Sequence, residues 1–277
     1  MLNQNVFVSR RVALPLLAAA AISACAASAD AAQIAFWRFE PGSFLVDSVG
    51  GHTLSNGAGA LAAQSTTDSP GAFSAGSAHF DGGDIMQTIA QMDLHTYSAL
   101  TVSWWQRNQT TTTGVLFEHS PNKNSAMGGF LADVNETNVG VGLPDITFSS
   151  GNEGKNMPHA VPDAGHPDGT WEQFVMTIDL TKTAGNILTV TGGSGGPAAP
   201  ATDPFRNDTF FIGARSGPNF GFIGNIDELL IEGTPVPEPS SLALLGCGVL
   251  GLLAQARRRR GAKRKPTPNS GQQLTTA

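Results

Sequence analysis

The chain has 277 residues and a formal net charge of −6 at pH 7, but its charge is unevenly distributed. Residues 33–235 hold seven basic and twenty acidic side chains, a net charge of −13. A region of that sign repels phosphate backbones, which argues against a nucleic-acid partner and is compatible with neutral glycans and divalent cations.

Residues 1–32 are predicted to be a signal peptide. Arg10 and Arg11 precede an apolar stretch over residues 12–27, and the small residues 27–29 offer a cleavage site. Two alternatives stay open. The pair Arg10-Arg11 is also typical of a twin-arginine export signal. Residues 22–25, which end in Cys25, resemble a lipoprotein signal, in which Cys25 would become the acylated N-terminus.

Residues 33–235 are predicted to form one all-β domain. Short β-branched and aromatic runs alternate there with clusters of turn residues, and no stretch has a sustained helical period. In the run from Leu100 to Trp105 the apolar residues 100, 102 and 104 alternate with hydroxylic ones, which predicts a strand with one face in the core. The two cysteines, Cys25 and Cys247, lie outside this region, so its stability cannot depend on disulfides.

Seven short motifs in this region occur in the order of a known family. They are Ala35–Glu40, Val46–Leu54, Gly76–Gly82, Leu100–Trp105, Asp168–Trp171, Phe211–Arg215 and Phe222–Glu228. Together they resemble the laminin-G-like, concanavalin A-like domains of secreted bacterial proteins. The resemblance implies a two-sheet antiparallel jelly-roll sandwich. Two departures are Glu172, where the family often has His, and residues 188–192, where its Tyr-Val-Asp-Gly hairpin is missing.

The C-terminal segment, residues 236–260, resembles the PEP-CTERM sorting signal. Pro237-Glu238-Pro239 is followed by the 17 mostly apolar residues 240–256 and by the basic run Arg257, Arg258, Arg259 and Arg260. Seventeen residues make a helix of about 25 Å, short for a transmembrane helix, and the arginines fit the positive-inside rule. The resemblance implies a transmembrane sorting helix and cleavage by a membrane-embedded exosortase.

The remaining residues, 261–277, are predicted to be a disordered basic and polar tail. This tail is longer than the usual pattern. The alternative for the whole C-terminal segment is therefore a plain membrane anchor that is not processed.

A catalytic site is not predicted. The strand around Asp227 resembles the Glu-x-Asp-x-x-Glu pattern of glucanases on this fold, but its first position is Asn225. Retaining hydrolysis needs two carboxylates about 5 Å apart, and this pattern presents only one to a substrate. We therefore expect a protein that is not an enzyme.

A structural calcium site is predicted at Asp47 and Asp227. Calcium prefers several carboxylate and carbonyl oxygens, and Asp47 begins a Gly-rich loop whose carbonyls near Gly50 would complete the shell. The first and last strands of such jelly rolls commonly pair, which would bring the two carboxylates together. The alternative is that Asp47 caps a turn and that Asp227 hydrogen-bonds a loop.

Trp105 is the candidate for sugar stacking, because it lies on the strand face opposite Leu100, Val102 and Trp104. The alternative is that a crossing loop covers it. Trp37 and Trp171 are expected in the core.

The sequence therefore predicts an exported, non-catalytic surface or extracellular-matrix protein that binds polysaccharide. Its expected partners are an exosortase and an exopolysaccharide or cell-surface glycan. Two alternatives stay open: an adhesion or structural module that binds protein, and a glycan-active hydrolase.

Overall fold

The structure is a computed structural model of the full chain. It describes residues 30–110, 112–119, 129–134, 144–148, 169–182, 188–190, 193–195, 205–215, 220–236, 248, 251 and 253–255. Residues 29–236 form one compact unit.

Nearly all regular structure in the described residues is β-strand. The first eight strands are β1 (Ala32–Trp37), β2 (Leu54–Asn56), β3 (Ala63–Ser65), β4 (Ser77–Asp81), β5 (Met86–Thr88), β6 (Met92–Asp93), β7 (Tyr97–Asn108) and β8 (Gly114–His119). The next eight are β9 (Phe130–Val134), β10 (Pro144–Phe148), β11 (Glu172–Asp179), β12 (Leu188–Val190), β13 (Gly193–Gly195), β14 (Asn207–Asp208), β15 (Phe210–Ile212) and β16 (Ile223–Pro235).

Within the described ranges these strands form two large sheets and one small one. The eight-stranded sheet has the order β13-β12-β11-β7-β16-β4-β3, with β1 also paired to β16. The six-stranded sheet has the order β10-β9-β8-β15-β5-β2, and β14 pairs with β6. All strand pairings in these sheets are antiparallel. The two large sheets stack as a sandwich, which confirms the predicted all-β class.

The core between the sheets is largely aromatic. Trp37 of β1 stacks on Phe210 of β15 with ring centroids 5.6 Å apart, and Phe210 stacks on Phe117 of β8 at 5.7 Å. Phe117 meets Trp104 of β7 edge to face at 5.1 Å, and Trp104 stacks on Phe174 of β11 at 5.7 Å. Two of these contacts, Trp37–Phe210 and Phe117–Trp104, join the two sheets, and the other two extend the cluster within each sheet, so one continuous aromatic cluster holds the sandwich together.

The alternation predicted for β7 is confirmed. Leu100, Val102 and Trp104 are fully buried. Trp37 is also in the core, as expected. Trp171 is not: it is partly buried, and its indole nitrogen donates a hydrogen bond to Asp68.

The predicted sorting helix falls mostly on residues outside those described. Residues 248, 251 and 253–255 are helical and exposed. Among the described residues, no helix is both long and apolar enough to cross a membrane.

Replacing Phe210 with Ala should lower the free energy of unfolding by about 3–5 kcal/mol, because it removes the ring that links Trp37 to Phe117 and leaves a cavity. Phe73→Ala is the matched control: Phe73 is 52% exposed, so its loss should cost less than about 1 kcal/mol. Urea denaturation of both variants measures the difference. Equal losses would contradict this account of the core.

Candidate functional site

The eight-stranded sheet has one face in the core and an opposite face that we call the outer face. On β7 the outer face carries Ser103, Trp105 and Arg107, which alternate with buried residues. Trp105 lies directly opposite Asp227 of β16 and Gln173 of β11. This register puts Trp105, an aromatic side chain, and Asp227, a carboxylate, next to each other near the middle of the sheet.

The loop of residues 66–76, which joins β3 to β4, crosses part of this outer face, and we call it the strap. Asp68 attaches its first half, because the carboxylate accepts hydrogen bonds from Arg107 of β7 and from the Trp171 indole. The Ser77 hydroxyl donates to the Asp68 carbonyl at 2.6 Å. Asp68 thus ties the strap to β7, to Trp171 just before β11 and to the start of β4.

The second half of the strap lies over Trp105. The rings of Phe73 and Trp105 are 5.6 Å apart and tilted by 46°. The Phe73 carbonyl accepts a hydrogen bond from Arg38, and the Ala75 amide donates to Glu40. Trp105 is therefore partly buried beneath Phe73, which itself is 52% exposed. The predicted stacking residue is on the outer face, but it shares this position with a second aromatic ring.

A groove of about 430 Å³ lies at the first half of the strap, at the β3–β4 edge of the sheet. Amide, hydroxyl, imidazole and carboxylate side chains line it. The lining residues are Ala63, Gln64, Ser65, Thr66, Thr67, Asp68, His79, Gln109 and Asn225.

Asn225 forms the buried floor of this groove. Its side-chain oxygen lies 3.3 Å from the His79 Nδ1 and accepts a 3.3 Å hydrogen bond from Gln109. Its amide nitrogen donates to the Ser77 hydroxyl at 2.9 Å. These bonds hold the His79 and Gln109 side chains in fixed orientations at the groove.

A β-bulge in β16 shapes the middle of the outer face. Asp227 pairs with Trp105 and Leu230 with Ser103, so Glu228 and Leu229 together face Trp104. Glu228 has a φ of 49°, a left-handed conformation that is costly for a residue with a side chain. The bulge directs the Glu228 carboxylate to Arg38, whose Nε and Nη2 donate to it at 3.0 and 2.9 Å.

Asp227 is fully buried although it belongs to the outer face, next to the Trp105 ring that Phe73 of the strap packs on. One carboxylate oxygen accepts the Glu228 amide at 2.8 Å, and the other has no hydrogen-bond partner. Burial raises the pKa of Asp227 to about 7. The Glu228 amide and the nearby Ser74 side chain oppose this shift in the pKa, and the charges of Glu228 and Glu40 add to it.

Asp47 closes a turn beside β1. Its carboxylate accepts four backbone N–H groups, those of Phe36, Val49, Gly50 and His52, at 2.7–2.9 Å. Burial tends to raise the pKa of Asp47, but these four donors outweigh it and lower the pKa.

This donor set does not fit a calcium ligand, because an ion at Asp47 would displace hydrogen bonds that the loop already makes. Asp227 has a free oxygen, but no three His, Cys, Asp or Glu side chains come together as a metal site within the described ranges. The calcium site at Asp47 and Asp227 stays a prediction without support from this geometry.

Sequence reasoning missed Phe73, Asp68 and the groove. Residues 66–76 have neither a helical nor a strand period, so nothing in the sequence showed which strands they would contact. One sequence feature could have indicated this loop. Asp68 and Phe73 are an acidic and an aromatic residue in a stretch that otherwise consists mostly of small and hydroxylic residues.

Comparison with known proteins identifies the C-terminal segment. Residues 235–260 match the family model of the PEP-CTERM protein-sorting motif. The protein is therefore exported: the motif implies a membrane-anchored intermediate, processing by an exosortase and delivery to the cell surface. The predicted motif residues 237–239 and 257–260 fall inside the match and outside the described residues.

Comparison of the structure identifies the fold of the central unit. It is similar to domain 4 of AbnA, a GH43 extracellular arabinanase from Geobacillus stearothermophilus, with a TM-score of 0.55 and 18% identity over 75% of this chain and 96% of that domain. It is also similar to the binding domain of botulinum neurotoxin serotype D, with a TM-score of 0.51 and 12% identity over 77% of this chain and 50% of that one. At these identities the likeness shows a β-sandwich fold. No curated protein matches the sequence.

Asp47→Ala should lower the free energy of unfolding by about 1–3 kcal/mol at pH 7, because four partly buried N–H groups lose their acceptor. The pKa of Asp47 is lower in the folded state, so its contribution is present above the unfolded-state pKa of about 3.9 and is lost as the pH falls through the folded-state pKa. Urea denaturation at pH 7 and pH 3 should therefore show a smaller difference from wild type at pH 3.

Asp81→Ala is the control for this test, since the Asp81 side chain is exposed and accepts one backbone amide, that of Gly83. Calcium should leave the melting temperatures of wild type and both variants unchanged. A calcium-dependent rise in the wild type that Asp47→Ala abolishes would restore the calcium prediction.

Proposed function

We propose that the central unit is a non-catalytic carbohydrate-binding module that export delivers to the cell surface, and that it binds sugar on the outer face of its eight-stranded sheet. The observation that carries this proposal is the polar groove beside the strap, with its side chains held in place over the buried Asn225.

The groove offers the groups that sugar hydroxyls require. Gln64, Thr66 and Thr67 contribute amide and hydroxyl groups, and His79 contributes an imidazole whose Nδ1 faces Asn225. Such side chains both donate and accept hydrogen bonds, as a sugar hydroxyl does. Because the groove holds few charges, a neutral sugar suits it better than an anionic one.

The aromatic pair at the second half of the strap, Phe73 and Trp105, supplies a second contact. Sugar rings have apolar faces that pack against aromatic side chains, and Phe73 is half exposed next to Trp105. A polysaccharide that lies across the strap would reach both the groove and this pair.

Binding without hydrolysis is the better interpretation of the carboxylates at this face. Asp68 is the one carboxylate among the groove-lining residues, and both its oxygens accept hydrogen bonds, from Arg107 and Trp171. Asp227 is buried and Glu228 is paired with Arg38. None of the three is presented to a substrate as the two-carboxylate mechanism of glycosidases demands.

The arabinanase domain of similar fold has a structure in complex with arabinotriose. This supports carbohydrate as the ligand class without naming the sugar. A surface or extracellular-matrix glycan, such as an exopolysaccharide, is the ligand that a protein sorted to the cell surface would meet. Laminin-G-like ancestry and a jelly-roll connectivity are part of this proposal.

A protein-binding adhesion role is the second candidate. The observation that favours it is a row of partly exposed apolar side chains across four strands of the outer face. Val175 of β11, Leu230 of β16 and Phe36 of β1 lie in this row, with Ser103 of β7 between the first two. Val175 is 40% exposed.

A glycan array followed by titration calorimetry tests the carbohydrate proposal. His79→Ala and Trp105→Ala should each weaken binding by about tenfold, the equivalent of one stacking contact or of one to two hydrogen bonds. Gln87→Ala, on the six-stranded sheet, is the control and should leave the affinity unchanged.

Two results would contradict the proposal. Binding to no glycan on the array would favour the adhesion role, and release of reducing sugar from a bound polysaccharide would show an enzyme. Equal affinities of wild type, His79→Ala and Trp105→Ala for a bound glycan would place the site elsewhere.

A further inference from the structure

A chain of hydrogen bonds runs from the strap to the groove. The Ser77 hydroxyl lies 2.6 Å from the Asp68 carbonyl and 2.9 Å from the amide nitrogen of Asn225. The Asn225 side-chain oxygen in turn lies 3.3 Å from His79 Nδ1 and 3.3 Å from Gln109 Nε2. Each hydrogen bond contains one proton, so the direction of the first bond decides the direction of those that follow.

The direction is set where the strap joins β4. A carbonyl oxygen only accepts hydrogen bonds, so the single proton of the Ser77 hydroxyl must point to Asp68. The Ser77 oxygen is then an acceptor, and the amide nitrogen of Asn225 must face it. Ser77 and Asn225 are both buried, so the reversed amide, which would set two acceptor oxygens against each other, is costly. The Asn225 oxygen therefore faces the groove.

This oxygen fixes the proton of the His79 imidazole. A neutral imidazole carries its proton on one nitrogen and a lone pair on the other. The 3.3 Å contact with Asn225 is a hydrogen bond only if Nδ1 carries the proton, which leaves the lone pair on Nε2. His79 is half-buried and lines the groove, and no described residue hydrogen-bonds its Nε2. A ligand in the groove therefore meets His79 as an acceptor with nothing to donate.

Two amides of the groove are turned in the same sense. Gln64 Nε2 donates to the Phe39 carbonyl at 3.0 Å, and Gln109 Nε2 donates to Asn225. In both side chains the nitrogen is bound within the protein, and the acceptor oxygen lies at the other end of the amide. Each amide keeps a second N–H, so the strict requirement for a donor lies at His79.

We propose that His79 is the specificity-determining residue of the groove, and that its Nε2 selects ligands by accepting a hydroxyl hydrogen of a neutral sugar. The class of ligand rests on the proposed function, whereas the direction of each hydrogen bond does not. A hydroxyl satisfies Nε2, but a carboxylate, a sulfate or an ether oxygen sets lone pair against lone pair. The net charge of −13 on residues 33–235 acts against anionic ligands as well.

This selection is stronger than the gain from one hydrogen bond suggests. A site that hydrogen-bonds a ligand hydroxyl rejects the analogue without it, because the polar group of the site is left unpaired. Here that group is held in place: Asn225 fixes both the orientation of the His79 ring and the nitrogen that carries the proton. Asn225 is thus a positioning residue that acts on the ligand through His79.

Nitrogen NMR of the imidazoles tests the proton order without any ligand. The full-length protein, labelled with nitrogen-15, is measured at pH 8, where an unperturbed imidazole is neutral. His79 should carry its proton on Nδ1, and His79→Ala assigns the signal. His119 is the internal control with the opposite result, since its Nε2 lies 3.2 Å from the Met92 carbonyl and must donate to it. In Asn225→Leu, which removes the acceptor at similar size, His79 should lose its preference for Nδ1.

Fluorinated forms of a bound glycan test the selection. The probe is the glycan that binds most tightly on the array, prepared with one hydroxyl at a time replaced by fluorine, which is of similar size and carries no hydrogen. One such form should bind the wild type on the order of tenfold to a hundredfold more weakly than the parent glycan. His79→Ala should bind this form and the parent equally. Gln87→Ala, on the six-stranded sheet, should discriminate as the wild type does.

A His79 proton on Nε2 in the wild type would overturn the proposal and leave the proposed function standing. Equal binding of the parent glycan and all its fluorinated forms would also overturn it, as would a preference for uronic-acid glycans on the array. If Asn225→Leu does not fold, the wild-type spectrum still decides the proton order. Binding to no glycan would refute the proposed function and with it the ligand class, whereas the proton order at His79 would stand on the NMR result.

Discussion

The pairing of β7 with β16 is the constraint on which the rest of the structure depends. These are the longest described strands, of 12 and 13 residues, and they lie side by side in the middle of the eight-stranded sheet. β7 carries Trp104 into the aromatic core on one face and Trp105 onto the outer face on the other. β16 brings β1 and β4 to the same sheet.

The β-bulge in β16 interrupts this pairing and shapes the outer face of the sheet. A perfect ladder would leave the outer face flat, with no reason for Glu228 to adopt a left-handed conformation. The bulge turns Glu228 to Arg38, and Arg38 in turn holds the strap by the Phe73 carbonyl. The site is therefore built from a distortion of the central strand and a loop attached to it. Burial in this site makes a charge on Asp227 costly and raises the pKa of its carboxyl to about 7.

The sequence predicted the sandwich because its strands are amphipathic: the alternation of Leu100, Val102 and Trp104 indicates both the strand and its buried face. Short strands such as β2, β3 and β5 have three residues each and offer no period to recognise. The position of Trp105 on the outer face was predictable from the same alternation. Its contact with Phe73 was not, because loop 66–76 is placed by bonds to Arg107 and Arg38, which are distant in sequence. Trp171 was misassigned to the core, since its ring is partly buried under Asp68 rather than between the sheets.

The central claim is that the outer face of the eight-stranded sheet is the surface that this exported protein uses to bind carbohydrate. Mapping amide protection on the full-length protein, with and without an exopolysaccharide that it binds, tests this claim most directly. The account predicts that added protection is confined to the strap and to neighbouring residues of β4, β7 and β16. Protection on the six-stranded sheet instead, with the strap unchanged, would contradict it.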